Sequence, residues 1–207
     1  MRKVTIIFGL IAIMISAALL FSGCAKKDEN KQASETPDAG MPKAPQFHGK
    51  IAGITWGFPN TWTVAPEKAM RAATYIVNPV GDDSDSAECA VFYFGPASGG
   101  GTDENIKRWA GQFGQPDGSE SIDKASISES EISGLKITTI DLKGTYMVAA
   151  GPMMQVSTQK EGYHLLGAIV EGPEGSVFFK MTGPENTMAA SESDFTEMIG
   201  SLEPLPE

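Results

Sequence analysis

An apolar segment close to the N-terminus leaves only part of the 207 residues for a folded domain. Arg2 and Lys3 precede residues 4–21, which are nearly all apolar, and Ser22-Gly23-Cys24 follows. A short basic stretch, an apolar run and small residues before a cleavage point are the parts of a secretory signal. We therefore predict that residues 1–23 are a signal peptide. The alternative is an uncleaved membrane anchor, because the run is close to the lower length limit for a spanning helix.

The cysteine directly after Ser22-Gly23 resembles the lipobox of bacterial lipoproteins. The lipobox usually has leucine three places before the cysteine, where this sequence has Phe21. The resemblance implies a diacylglyceryl group on the Cys24 thiol, fatty acylation (palmitate) of the new N-terminus, and anchoring to the membrane through these chains. The domain would then face the periplasm or the cell exterior. Ala25 follows the cysteine, which favours the outer membrane where the organism has one.

The next segment differs sharply in composition from the rest of the chain. Residues 25–46 are rich in charged and small residues and nearly lack large apolar ones, so they cannot bury enough surface to fold. We predict that residues 24–46 are a lipidated flexible tether. Residues 47–207 are enough for a single globular domain and too few for two well-buried cores. The formal net charge of −10 makes binding to nucleic acid or to an anionic membrane surface improbable.

The domain sequence alternates between strand-like and helix-like patterns. Thr102 is the expected N-cap of a helix that reaches Phe113, with Asp103 and Glu104 in its first turn. A second helix is predicted over 186–202, because its apolar residues repeat at helical spacing. Segments rich in β-branched and aromatic residues predict strands. These strands cover 51–56, 62–65, 71–77, 87–94, 126–132, 136–142, 145–148, 163–171 and 176–182. The expected class is α+β, a mostly antiparallel sheet packed with two or more helices.

Six sequence elements and the triple glycine 99–101 resemble a family of uncharacterised bacterial lipoproteins. More broadly, their pattern is similar to the fold group of PsbP, DcrB and Mog-type proteins. The resemblance covers about residues 50–203 and implies an antiparallel sheet between helices, an α/β/α sandwich. It also implies an extrinsic subunit or adaptor rather than an enzyme. The elements are Trp56-Gly-Phe-Pro-Asn-Thr-Trp62, Met70-Arg-Ala-Ala-Thr-Tyr75, Phe92-Tyr-Phe-Gly95, Asn105-Ile-Lys-Arg-Trp-Ala-Gly-Gln-Phe113, Tyr163-His-Leu-Leu-Gly-Ala-Ile-Val170 and Phe178-Phe-Lys-Met-Thr-Gly-Pro184.

Residues that could carry chemistry are few, and each has a simpler structural explanation. Cys89 lies in a strand pattern and is expected to be a buried small apolar residue. His48 and His164 are far apart in sequence, with no grouping typical of a zinc site or a catalytic triad. The methionine pair Met153-Met154 could suit copper, but its surroundings favour a packing loop. We therefore predict no catalytic residue, no metal and no cofactor.

Two loops could bind ions, and for each a plain structural role is favoured. The glycine-rich loop 95–101 precedes a helix N-terminus but contains no lysine or arginine, so a simple strand-to-helix turn is expected. Asp82, Asp83, Asp85 and Glu88 are spaced unlike a calcium loop and indicate a solvated acidic segment.

A partner surface is predicted around Arg71, Arg108 and Trp109, because arginine beside tryptophan often marks a binding hot spot. The competing interpretation places Trp109 in the apolar stripe of the helix and pairs Arg108 with surface acids.

Three functions remain open from the sequence. The leading one is a non-enzymatic, membrane-anchored accessory module of the cell envelope that binds a protein partner. The second is a carrier of a small ligand or lipid with a cavity between sheet and helix, and the third is an envelope hydrolase. A pocket with convergent polar groups would favour the carrier or the enzyme, whereas a packed core with an exposed apolar patch would favour the module.

Overall fold

The computed structural model describes residues 47–148 and 158–206. The predicted signal peptide, Cys24, the tether and Met153-Met154 lie outside these residues. The strands are β1 (Phe47–Ile51), β2 (Ile54–Phe58), β3 (Thr63–Val64), β4 (Ala73–Val77), β5 (Ala87–Tyr93), β6 (Phe113–Gly114), β7 (Ser126–Ile132), β8 (Leu135–Val148), β9 (Thr158–Gly172), β10 (Gly175–Pro184) and β11 (Glu203–Pro204). The helices are α1 (Thr102–Ala110) and α2 (Glu185–Gly200), with a 3-10 turn at Ser121–Lys124.

An eight-stranded antiparallel sheet forms the centre of the described domain. Its strand order is β3-β4-β5-β10-β9-β8-β6, and β7 pairs with the first half of β8. The long strands β9 and β10 form a hairpin in which Gly172 pairs with Gly175, so Pro173 and Glu174 are its two-residue turn. This hairpin lies in the middle of the sheet and carries the residues that both helices cover.

A smaller sheet has the order β1-β2-β11. Its hairpin turns at Ala52 and Gly53, which both have positive φ (52° and 73°), so the predicted single strand over 51–56 is in fact two strands. Positive φ at both central residues matches the twist of a tight hairpin. Sequence analysis misses this turn because alanine is a rare choice for such a conformation.

One face of the large sheet is covered by α2 and the smaller sheet, and we call it the α2 face. The helix contributes Met188, Phe195, Met198 and Ile199, all buried, as the periodicity predicts. They pack against apolar side chains of the central strands and of β2. The strand members include Ile54, Trp56, Tyr75, Val91, Ile137, Ala168, Val170, Phe179 and Met181.

The opposite face, which we call the α1 face, has a smaller apolar cluster. Trp109 of α1 packs over Gly167, where a side chain would leave only 2.6 Å to the indole ring. The helix has only nine residues, so it covers a limited part of the sheet. Partly buried aromatic residues, Phe92, Phe94 and Tyr146, lie around this cluster.

The mostly antiparallel sheet with its two helices confirms the predicted α+β class. Two details of the predicted helix α1 are wrong. Gly101 and not Thr102 is the N-cap, because the backbone of Gly101 is extended (φ −73°, ψ 161°) and the helix begins at Thr102. The helix ends at Ala110, and Phe113 belongs to β6, because Gly111 terminates the helix and Phe113 then pairs with Tyr146. The helices of the described ranges are too short to cross a membrane.

Candidate functional site

A lysine in the middle of the central hairpin is the most unusual residue of the α1 face. Strand alternation in β10 directs Phe179 and Met181 into the α2-face core, and Phe178 and Lys180 to the opposite side. The Lys180 ammonium donates a hydrogen bond to Oε1 of Gln112 and lies 5.3 Å from the centroid of the Tyr146 ring. Lys180 is therefore half-buried, yet its immediate partners are a neutral amide and an aromatic ring.

The pKa of Lys180 reflects this environment. Burial lowers it most, and the positive charges of Arg108 and Arg71 lower it further, to about 8 from the usual 10.5, while Glu88 raises it slightly. Two cations near a third are unfavourable unless an anion separates them. Lys180 is thus placed where the fold itself gains little from its charge.

Arg71 lies at the other side of the same face, in the loop before β4. Its Nη1 forms an ion pair of 2.7 Å with Oε1 of Glu88, and Lys68 Nζ reaches the other carboxylate oxygen at 2.6 Å. The guanidinium carbon also lies 5.6 Å from the centroid of the Phe92 ring. Burial opposes the ionisation of Glu88, but the bonds from Lys68 and Arg71 outweigh it and hold its pKa below the ordinary value.

The structure separates the members of the predicted partner surface. Arg108 is exposed and donates to Oδ1 of Asn105, one turn earlier in α1, rather than to the surface acid expected from sequence. Trp109 is only 4% exposed and belongs to the α1-face core. An indole buried to this extent offers no contact area to a partner. The two arginines, by contrast, are placed on opposite sides of Lys180 by the cross-strand row Thr74–Ala90–Lys180–Gly167. Arg71 donates to the Thr74 hydroxyl at one end of the row, and Arg108 precedes Trp109, which packs over Gly167 at the other.

We name the set Lys68, Arg71, Arg108 and Lys180, together with the half-buried rings of Phe92 and Tyr146, the cationic face. Glu88 is the carboxylate that pairs with two of its cations. Within residues 47–148 and 158–206, neither Lys180 nor Arg108 forms an ion pair. The cationic face therefore has an excess of positive charge in a chain whose formal net charge is −10.

A hydrogen-bonded aromatic pair borders the cationic face. The rings of Tyr146 and Tyr163 stack with their centroids 5.9 Å apart. The Tyr163 hydroxyl donates to Oδ2 of Asp85 at 2.7 Å, and Lys160 Nζ lies 2.7 Å from the same carboxylate oxygen. These bonds lower the pKa of Asp85 and raise that of Lys160, while burial is the main cause that raises the pKa of Tyr163. Each group is therefore held in its ordinary protonation state.

An open cavity of about 490 Å³ lies beyond this pair, at the N-terminus of α2. The acidic segment 82–85 lines it together with Lys160, Glu161, Tyr163 and Glu185. Asp83 accepts hydrogen bonds from the backbone N–H and the hydroxyl of Thr187, both at 2.7 Å, so it caps the helix across the chain. Part of the acidic cluster thus has a structural role that the expected solvated loop did not include.

The remaining candidates lie where their structural interpretations place them. Cys89 is fully buried, and burial raises the pKa of its thiol far above the ordinary value. His164 is buried with Nε2 2.7 Å from Oδ1 of Asp141, whereas His48 is exposed in the smaller sheet. No three histidine, cysteine or acidic side chains of the described residues are arranged to bind a metal.

A buried side chain holds the glycine-rich loop through two hydrogen bonds. Asn105 Nδ2 donates to the carbonyl oxygens of Gly99 and Gly101, each at 2.8 Å. The loop therefore directs two carbonyl oxygens toward the amide of Asn105, which supports the strand-to-helix turn over an anion-binding cradle.

Sequence reasoning missed Lys180. The available signal was its place in Val177-Phe178-Phe179-Lys180-Met181, where a single charge interrupts an apolar strand. Such a residue must either extend to solvent or meet a partner. Which of these applies depends on the neighbouring strands and on α1, whose positions a single sequence does not give.

No protein-family model and no curated protein sequence matches the chain. Solved structures with a related fold include a protein of unknown function from Pseudomonas aeruginosa, at 11% identity and a TM-score of 0.44 over 78% of this chain and 98% of that one. The cyanobacterial PsbP (CyanoP) of Synechocystis sp. PCC 6803 has 10% identity and a TM-score of 0.45, covering 74% and 87%. LpqN, involved in cell envelope biogenesis of Mycobacterium tuberculosis, has 9% identity and a TM-score of 0.47, covering 74% and 83%. These similarities concern the fold alone.

Proposed function

We propose that this protein is a lipid-anchored, non-enzymatic accessory module of the cell envelope that binds a protein partner through its cationic face. The observation that carries the proposal is the pair Lys180 and Arg108, two cations without an ion pair in the described residues. Lipidation at Cys24 rests on the lipobox resemblance and would hold the module at the membrane surface.

The energetics of Lys180 favour a binding role over a structural one. Removing an ammonium from water is costly unless a counter-charge or good hydrogen bonds replace the water. Here the charges that shift the pKa of Lys180 most are the like charges of Arg108 and Arg71, and Glu88 already forms ion pairs with Lys68 and Arg71. A partner that brings negative charge would offset this cost on binding.

The hydrogen-bonded group beside the cationic face contains no general acid or base suited to neutral pH. A general acid or base works best with a pKa near the operating pH. Asp85, Lys160 and Tyr163 bind one another, and their pKa values move away from neutrality rather than toward it. None of the three is poised to exchange a proton near pH 7.

The carrier function receives less support from the described cavity. Its walls carry several carboxylates and it opens to solvent at the end of the sheet, not between sheet and helix. An apolar or anionic ligand would meet unfavourable surroundings there. The exposed large apolar residues of the described ranges are Val64, Met70, Val80, Ile127 and Leu205. The partner surface that we propose is cationic and aromatic rather than apolar.

Crosslinking in intact cells, followed by affinity capture and mass spectrometry, tests the proposal. We expect one envelope protein in stoichiometric amount with the wild type, and its loss with Cys24→Ala. Metabolic labelling with an alkyne fatty acid should mark the wild type and not the variant. Absence of a protein partner, or an unlabelled wild type, would contradict the proposal.

A further inference from the structure

The cations of the cationic face come from three different parts of the fold. Lys68 and Arg71 lie in the loop between β3 and β4, Arg108 lies on α1, and Lys180 lies on the central strand β10. The rings of Phe92 and Tyr146 lie beside Arg71 and Lys180, respectively. The positive charge is thus spread along one side of the sheet, with aromatic surface beside it.

From this arrangement we infer that the cationic face binds an acidic, aromatic-containing segment of a partner protein, with carboxylates at Lys180–Arg108 and at Lys68–Arg71. The inference rests on the proposed function and names the chemistry of its partner. Glu88 is shared by two cations, so Lys68 and Arg71 together keep one positive charge in excess. Arg108 and Lys180 donate to the neutral amides of Asn105 and Gln112, so no carboxylate of the described residues neutralises either charge.

Charge complementarity favours a protein segment over a single small anion or a membrane. A single phosphate can bind either the Lys180–Arg108 pair or the Lys68–Arg71 pair, whereas a peptide with several carboxylates can bind both pairs. An anionic bilayer would also face the rest of the surface, and the chain as a whole has a formal net charge of −10. Aromatic side chains of the segment can contact Phe92 and Tyr146, which are both half-buried.

A binding measurement on the full-length, lipidated protein in neutral detergent tests this inference. The probe is a fluorescein-labelled peptide of glutamate and tyrosine, and the control probe has glutamine at each glutamate. Fluorescence anisotropy gives the dissociation constants for the wild type and for the double variant Lys180→Met, Arg108→Gln. Lys136→Gln is the control, since Lys136 pairs with Glu129 and Glu171 and with no residue of the cationic face.

We expect the glutamate peptide to bind the wild type and Lys136→Gln equally, at least about tenfold more tightly than it binds the double variant. The glutamine peptide should bind none of them measurably. Thermal unfolding checks that the double variant is folded, and Lys180→Met alone provides a second variant if it is not.

Three results would overturn the inference. One is equal binding of the glutamate peptide to the wild type and the double variant. Another is its complete displacement by millimolar inorganic phosphate at constant ionic strength, which indicates a small-anion site. The third is binding to phosphatidylglycerol vesicles, but not to the peptide, that depends on Lys180 and Arg108. If capture of the cellular partner is lost with the double variant although the glutamate peptide binds the wild type and the double variant equally, the proposed function stands and this inference fails.

Discussion

The two faces of the large sheet differ in how completely they are covered. On the α2 face, a sixteen-residue helix and a second sheet enclose a continuous apolar core that includes Trp56, Phe179 and Met188. On the α1 face, a nine-residue helix covers a smaller cluster and leaves charged and aromatic residues half-buried beside it. A fully enclosed apolar core contributes most of the stability of the fold. Half-buried charged and aromatic groups, by contrast, can still form favourable contacts with a partner. The following four predictions test this contrast.

Replacing Trp56 by alanine should have the largest effect. The ring is 1% exposed, packs edge-on against Phe179 at 5.0 Å and donates to the Tyr75 hydroxyl at 3.1 Å. We expect Trp56→Ala to lower the free energy of unfolding by about 4 kcal/mol in urea denaturation. Phe92→Ala on the α1 face should cost about 1 kcal/mol, because its ring is only partly buried. Similar losses for the two variants would contradict the contrast.

Gly167→Ala tests the packing of α1 on the sheet. The new methyl group would lie 2.6 Å from the Trp109 ring and 2.8 Å from Ile140, so the helix must shift. We expect a loss of about 2 kcal/mol and a change in tryptophan fluorescence of the native state. Gly200→Ala is the control, since nothing lies within 4 Å of its added carbon. An unchanged stability for Gly167→Ala would show that α1 is not held by this contact.

Lys180→Met should increase stability, by about 1 kcal/mol at pH 7, because an uncompensated charge leaves a half-buried position. The pKa of Lys180 is about 8 when folded and 10.5 ordinarily, so the unfolded chain holds more protons between these values. Wild-type stability should therefore rise as the pH increases from about 8 to about 10.5, through this group. The variant should lack this rise in urea titrations, and an identical pH dependence in both proteins would refute the assignment.

Asp83→Ala should give the smallest effect, a lower midpoint of thermal unfolding through loss of the α2 cap. Hydrogen bonds from Thr187 are the main cause that lowers the pKa of Asp83 below 3.8. The contribution of Asp83 should thus be present above pH 3.8 and disappear as the pH falls through the lower folded value. Asp82→Ala is the matched control, because Asp82 neighbours the cap without forming these bonds. If both variants unfold at the same temperature, the cap is unimportant.

Much of the fold could be predicted because its signals are local. The residues of β5 and the buried side of α2 follow from side-chain type and spacing alone. The turn at Ala52-Gly53 could not be found this way, since its positive φ angles contradict the usual preference of alanine. The continuous strand β8 was predicted as two pieces because Gly144 interrupts the pattern, although the ladder continues past it with an irregularity.

The residues of the candidate site, too, were predicted from the sequence only in part. Arg71 and Arg108 were selected from sequence as charged residues near aromatic ones, and the strand register and the packing of α1 place them on opposite sides of Lys180. Trp109 was selected with them, but it packs on Gly167, a contact that joins residues far apart in the chain. Lys180 was overlooked because its significance depends on charges brought by α1 and by the loop before β4.

The sequence by itself determined the α+β class, the apolar side of α2 and the burial of Cys89, because these depend on the side chains of one segment at a time. Residues 1–24 also predict an export signal and lipidation at Cys24. Only the tertiary structure decided which charges are close together. Electrostatic interactions act through space, so the cationic face exists only once β10, α1 and the β3–β4 loop are packed around one sheet.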